Sequence, residues 1–355
     1  MQPLHFFLGA NSGEGFYSLY DQLLGGRLDD LVILKGSAGC GKSSFMRRVG
    51  EAMERAGERV VYVRCSGDPD SLDGAIFLDR RAAIVDGTAP HVLEPRYAVA
   101  CERYVDLSRF CDVDAAKARR AEIIAQSDAY RAHYRSAYHV LRAMDEVASE
   151  RYMVMHAQMD VAKLRRRANA ILTREFRGKG EGSGRVERIF LGGLTHRGDL
   201  CCFDTVEALC PRVYALCDSA GLGDELLLQS AARTAREKHF DVIACLNPDR
   251  PREWQHLLIP ERGLAFVTTN ARIPYEGKPY RRLRLDAMAE ERLTRTQKAK
   301  LRFMRRVEAS LREEAVAALA SAKEAHDALE ALYRPCMDFS GVTALADEEI
   351  ARRIK

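Results

Sequence analysis

Gly36-Ser37-Ala38-Gly39-Cys40-Gly41-Lys42-Ser43 follows the apolar run Leu31-Val32-Ile33-Leu34 and leads through Ser44 into an amphipathic stretch. The spacing GxxxxGK[ST] is that of a phosphate cradle. Its glycines let the backbone take positive φ and turn N–H groups onto phosphate oxygens. A helix starting at the end of the loop adds partial positive charge. Lys42 would reach the β- and γ-phosphates, and the Ser43 hydroxyl would ligate Mg²⁺. Residues 36–44 are therefore expected to bind ATP with Mg²⁺. Cys40 is a small spacer in this loop, where a nearby helix N-terminus would lower its thiol pKa.

Asp86 closes a second apolar run, Ala82-Ala83-Ile84-Val85. A carboxylate at a strand end, after such a loop, would share Mg²⁺ with Ser43. Between the two lie a further strand, Val60–Val63, and the acidic stretch Asp68-Pro69-Asp70-Ser71-Leu72-Asp73. A polar turn with a helix N-cap accounts for that stretch. Alternatively Asp68, Asp70 or Asp73 positions or deprotonates an acceptor hydroxyl, or holds metal, at the sheet edge where open α/β folds bind ligands. Thr88 and His91 follow Asp86 and are placed to sense a γ-phosphate; a surface or capping role for His91 is the alternative.

Residues 219–223, SAGLG, repeat residues 37–41, SAGCG. Phe7-Leu8-Gly9, Gly15 and Asp21 recur as Phe190-Leu191-Gly192, Gly198 and Asp204, and Ala83 and Val85 as Ala265 and Val267. Cys65 is matched with Cys245. A recurring offset over several elements marks an internal duplication. The second copy has Asp224 for Lys42, Glu225 for Ser43, Asp218 for Gly36 and Thr268 for Asp86. Acid stands where a triphosphate would lie, so one competent site is expected.

These motifs need two α/β units, each a parallel sheet flanked by helices. Long segments without Gly or Pro in each half read as helical arms, about 96–177 and 280–334. Repeat one is then 1–177, the Gly-rich 178–184 a flexible linker, and repeat two 185–355. Tyr134, Tyr138, Leu141, Met144 and Ala148 form an apolar stripe on the first arm, with Asp145 and Glu146 facing solvent. Basic clusters at Lys163–Lys179 and Lys298–Arg306 read as solvated helix faces, with an acidic or nucleic-acid partner as the sharper alternative. The chain of 355 residues is 47% hydrophobic and 30% charged, with net charge +4, too modest to imply nucleic-acid binding by itself. It lacks an apolar run of membrane length and a leader-like start, so a cytoplasmic protein is expected. Ten scattered cysteines without zinc spacing read as small buried hydrophobes.

The segments HFFLGANSGEGFYS, ILKGSAGCGKSS, CSGDPDSLDG and AIVDGTAPH resemble those of bacterial tandem P-loop proteins of unassigned role, usually labelled ATPases or nucleotide-kinase-like proteins. The likeness spans nearly the whole chain. The resemblance implies ATP binding and a P-loop in both halves, and this chain departs from it in the second. Asp86 is followed by Gly87, not by the Glu that polarises water in many hydrolysing ATPases. That favours phosphoryl transfer, whereas long arms suit a conformational ATPase. The expectation is a Mg-ATP-binding P-loop NTPase that hydrolyses ATP or phosphorylates an unidentified acceptor. The alternative is an ATP-gated interaction module whose arms bind a protein or nucleic acid with little turnover.

Overall fold

Leu31, Val32, Ile33 and Leu34 are all fully buried, as are Tyr214, Ala215 and Leu216. Strands apolar on both faces must be covered on both. They belong to two six-stranded sheets in a mixed α/β fold, seen in a computed structural model that describes residues 3–354. The first half runs β1 (Leu4–Phe6), the hairpin β2 (Gly9–Ser12) and β3 (Gly15–Ser18), β4 (Asp30–Lys35), α1 (Lys42–Arg55), β5 (Val60–Arg64), β6 (Leu72–Phe77), β7 (Ala82–Asp86), β8 (Glu102–Asp106), α2 (Val113–Ala118), α3 (Arg120–Ala157) and α4 (Val161–Glu175). The second half runs β9 (Val186–Ile189), the hairpin β10 (Gly192–Thr195) and β11 (Gly198–Cys201), α5 (Phe203–Leu209) and β12 (Arg212–Cys217). A π-helical turn (Asp224–Gln229) then enters α6 (Ser230–Glu237), followed by β13 (Val242–Leu246), β14 (Trp254–Ile259), β15 (Leu264–Thr269), β16 (Arg281–Arg284), α7 (Leu285–Glu290), α8 (Arg295–Tyr333) and α9 (Phe339–Ile354).

The sheet orders are β1-β5-β6-β7-β4-β8 and β9-β13-β14-β15-β12-β16. They are mixed, not parallel as expected: β6 lies antiparallel between β5 and β7, and β14 likewise between β13 and β15. The register breaks between Val63 and Arg64 in one sheet and between Cys245 and Leu246 in the other. Cys245 therefore corresponds to Val63, and the match of Cys245 with Cys65 is corrected. Asn247 takes the place of Cys65: each donates its N–H across the following loop, to Glu253 and Ser71 respectively.

One face of each sheet meets a shared core. Phe6, Phe7, Ile33 and Val85 pack there with Ile189, Phe190, Ala215 and Val267. At its centre Phe7 and Phe190 exchange backbone hydrogen bonds, both of 2.9 Å. The hairpin tips also cross. Arg197, beside β11, pairs with Asp70, and Glu14, beside β3, pairs with Arg252 at 3.0 Å.

The outer layers are exchanged. Val342 and Ala346 of α9 cover the first sheet beside Phe45 and Val49 of α1. Leu164, Ala168 and Leu172 of α4 pack with Tyr214, Leu216 and Phe266 of the second. Glu175 of α4 fixes that contact by accepting from Tyr214 and, at 2.9 Å, from Arg212. The arms that reach these positions run antiparallel: Tyr130 of α3 packs on His326 of α8, and Arg151 pairs with Glu308 at 2.6 Å.

Both arm segments begin as edge strands, β8 and β16, so the helices start later than the expected 96 and 280. Residues 178–184 do not form a free tether: Gly180 N donates to Lys238 O at 2.7 Å and Ser183 N to Asp241 at 3.0 Å. In the expected stripe, Leu141 and Met144 are buried against Ala315 and Leu319 of α8. Glu146 is exposed, but Asp145 turns inward and meets Arg250 at 2.9 Å. Arg165, Arg166 and Arg167 are exposed, and in the other cluster Lys300 and Arg305 pair with Glu150 and Glu290. All ten cysteines are free, five of them buried, and among the described residues no helix is long and apolar enough to cross a membrane.

Because Phe190 is fully buried at the junction, Phe190→Ala should cost about 3–5 kcal/mol. Both halves should lose stability in one thermal transition. Calorimetry resolving two transitions, only one of them shifted, would refute a shared core.

Candidate functional site

The loop after β4 carries three positive φ values, 154° at Gly36, 67° at Gly39 and 93° at Gly41. A Cβ on Gly36 would come within 2.5 Å of the Cys40 sulfur, so the sharp turn needs glycine there. Gly41 caps α1 without a side-chain partner, and no acid lies in the first turn of that helix. Among the described residues nothing accepts a hydrogen bond from the backbone N–H groups of residues 38–41. Lys42 Nζ donates to Gly36 O at 3.2 Å and Ser37 O at 2.9 Å, and lies 3.7 Å from Asp86 Oδ2. Ser43 Oγ accepts from Leu72 N at 2.9 Å, whereas Ser44 is exposed. Cys40 is buried, and burial pushes its thiol pKa up against the pull of Lys42. The lowered pKa expected from the helix N-terminus is thus overturned by desolvation.

β7 runs parallel to β4 and brings Asp86 beside the loop. Its Oδ1 accepts from Thr88 N at 2.8 Å and Thr88 Oγ1 at 2.6 Å, leaving Oδ2 toward Lys42. The acidic stretch divides. Asp68 accepts from Ser71 Oγ at 3.0 Å and faces Lys323 of α8 at 3.6 Å. Asp70 is exposed in its pair with Arg197, which holds its carboxyl below the usual range. Asp73 is not in a turn: it lies on β6, buried beside Asp86. His91 is buried as well, its Nε2 3.5 Å from Asp73 Oδ2. Burial opposes a charge on His91 most strongly, but the carboxylates of Asp73 and Asp86 with a backbone hydrogen bond together outweigh it and raise the pKa. Tyr20, from the 3₁₀ turn after β3, packs its ring 4.7 Å from His91. No motif pointed to Tyr20, which lies far from the loop in sequence.

In the second half Asp218 occupies the position of Gly36. Its carboxylate accepts from the N–H groups of Ala220 at 3.2 Å, Leu222 at 3.0 Å and Gly223 at 2.8 Å. The N–H of Ser219 goes to Asp286 at 3.0 Å. The loop amides that would meet a phosphate are taken by the chain's own carboxylate. Below this loop a cavity of about 50 Å³ is lined by Asp145, Asp224, Glu253 and Glu308 together with Arg151 and Arg250. Sequence reading took Asp218 as a repulsive charge; the fold makes it a built-in anion.

The arms lie over both loops. Glu330 of α8 sits against Gly39, where an added Cβ would come within 3.1 Å of it. Arg151 of α3 donates to Ser219 O at 2.7 Å. The first loop therefore presents open amides and an ammonium group, with a buried carboxylate beside them, and the second does not. No protein-family model, curated protein or solved structure matches the chain.

Burial, followed by the charges of Asp224, Asp145 and Asp218 and opposed by Arg250, pushes Glu253 up to about 7 from an ordinary 4.5. Between those values the folded protein keeps a proton that the unfolded chain has lost, so stability falls as pH rises from about 4.5 to 7 and levels off above. Glu253→Gln should match the wild type near pH 4.5 and exceed it by about 1–3 kcal/mol at pH 8. Denaturant melts across that range test this; a difference independent of pH would sink it.

Proposed function

We propose that this chain is a Mg-ATP-binding P-loop NTPase made of two copies of one α/β unit, with one competent site in the first. The observation that carries the reading is the contrast between the loops. In the first, the backbone N–H groups of residues 38–41 make no hydrogen bond to an acceptor among the described residues, and Lys42 stands at their rim. In the second, the equivalent groups are bound to Asp218. An array of backbone N–H groups at a helix N-terminus attracts an anion. Only the first is free to take one from outside.

Duplication is supported by the identical strand orders and by the matched register breaks. Positive φ also falls at matched positions, Gly39 with Gly221, Gly57 with His239 and Arg81 with Gly263. Ser43 and Asp86 are the residues offered to Mg²⁺, which when bound would neutralise charge on the phosphates. Asp73, buried next to Asp86, is the carboxylate of the acidic stretch best placed to act on bound phosphate. Asp68 and Asp70 are engaged by the neighbouring hairpin and arm.

A second reading, an ATP-gated module with little turnover, is favoured by the contact of Glu330 with Gly39. A ligand filling the first loop would press on α8 directly. Phosphate release with and without a panel of acceptors separates hydrolysis, transfer and gating.

Calorimetric titration should give one ATP per chain. Lys42→Ala should abolish binding, because the triphosphate loses a unit charge worth roughly 1–4 kcal/mol at ~4 Å as well as its hydrogen bonds. Asp224→Ala should leave stoichiometry unchanged; two ATP per chain, or one still tight in Lys42→Ala, would overturn the reading. Among the acids, Asp73→Asn should lower turnover by about 10²–10⁴-fold with ATP affinity retained, and Asp70→Asn should leave turnover as it was. The reverse order of effects would remove Asp73 from the site.

A further inference from the structure

Asp73, Asp86 and His91 come from β6, from the end of β7 and from the loop after it, and all three are buried. One ligand atom of each lies within 4.8 Å of the other two. Two carboxylates this close, out of water, repel unless a cation sits between them. Lys42 serves only one side, at 3.7 Å from Asp86 Oδ2. The pairing of His91 with Asp73 at 3.5 Å is longer than a charge-assisted hydrogen bond of about 2.7–2.9 Å. It also leaves His91 Nδ1 buried with no hydrogen-bond partner among the described residues. Beside it the hydroxyl of Tyr20, a residue with no exposed surface, faces Asp73 without a well-formed hydrogen bond to any of the described residues. Four polar groups thus converge on one spot where the protein supplies no geometry that satisfies them together.

We propose that Asp73, Asp86 and His91 bind a first-row divalent transition-metal ion, and that the chain holds this ion before nucleotide arrives. Metal–ligand distances of about 2.0–2.2 Å would draw the three atoms together by only a short movement from their present spacing. Imidazole with two carboxylates suits Mn²⁺, Co²⁺ or Zn²⁺; Mg²⁺ and Ca²⁺ take oxygen ligands. Thr88 holds Asp86 Oδ1 with two hydrogen bonds and so turns Oδ2 to the cluster, an orienting role that ligand carboxylates require. Three protein ligands leave coordination positions on the Lys42 side. The ion's place at the phosphate end rests on the nucleotide reading above; its binding does not.

The test uses the full chain, stripped with a chelator and free of nucleotide, titrated with Co²⁺ and separately with Mg²⁺. The expected result is one Co²⁺ per chain, with visible d–d absorption and an affinity at least tenfold above that for Mg²⁺. His91→Ala and Asp73→Asn should each weaken Co²⁺ binding by about tenfold or more. The less buried group His326, Asp327 and Glu330 on α8 has similar ligand spacing, so His326→Ala is the control and should leave Co²⁺ binding unchanged. If the ligand variants fail to fold, the Co²⁺-loaded wild type is read by proton NMR, which should display one strongly shifted exchangeable imidazole proton. Absence of stoichiometric Co²⁺, its retention in folded His91→Ala, its loss in His326→Ala, or no shifted imidazole proton would each overturn the proposal. ATP titration of the same wild type keeps the two readings apart. Co²⁺ without ATP would retain the metal site and reject the cradle, and ATP without Co²⁺ would do the opposite.

Discussion

Each central sheet is covered on its outer face by a helix that the chain sends from the opposite half. This exchange is the constraint from which the rest of the architecture follows. To place α4 on the second sheet and α9 on the first, the chain must cross the molecule twice. The arms α3 and α8 are those crossings. They must be long and run antiparallel, and between them they lie over both loops. The contacts of Glu330 with Gly39 and of Arg151 with Ser219 are consequences of that path. The hairpin tips also grip the opposite halves, with opposite polarity in the pairs Asp70–Arg197 and Glu14–Arg252.

An array of backbone N–H groups at a helix start needs an anion, and the two loops meet that need differently. The second uses Asp218 from within the chain, at the position where the first has Gly36. One substitution of this kind does two things. It removes the glycine whose φ of 154° shapes the first loop, and it supplies a carboxylate at hydrogen-bonding distance from three amides. Asp218 is itself fully desolvated, which raises its pKa even though those amides hold it down. A loop filled this way commits its donors to structure.

Much of this was legible in the residues, and the failures have physical causes. β4, β5 and β7 announce themselves as continuous apolar runs because both of their faces are buried. β6 was hidden because Asp73 and Gly74 interrupt Leu72-Asp73-Gly74-Ala75-Ile76-Phe77 at the place where the strand meets the buried acidic cluster. The arms were visible as long helix-forming segments, but amphipathic periodicity does not say which sheet a helix covers, so the exchange was not. For the same reason Asp145 read as solvent-facing until Arg250 of the other half was placed beside it. Gly36, Lys42, Ser43 and Asp86 were found from local spacing. Tyr20 has no such spacing, since only the tertiary fold brings it to His91.

The exchanged helices also bear on how the molecule is made. Arg48 of α1 is joined to Asp347 of α9 across 299 residues of chain. The first sheet and α1 precede the arms in sequence, so α1 can settle on that face first, and α9 then closes the part that α1 leaves open. Phe45 and Val49 of α1 already stand with Val32, Leu34, Val60 and Ile84, and Val342 and Ala346 complete that cluster from far along the chain. The first half therefore completes its core only after the arm of the second half has been made, and folding strictly one half after the other is closed to it.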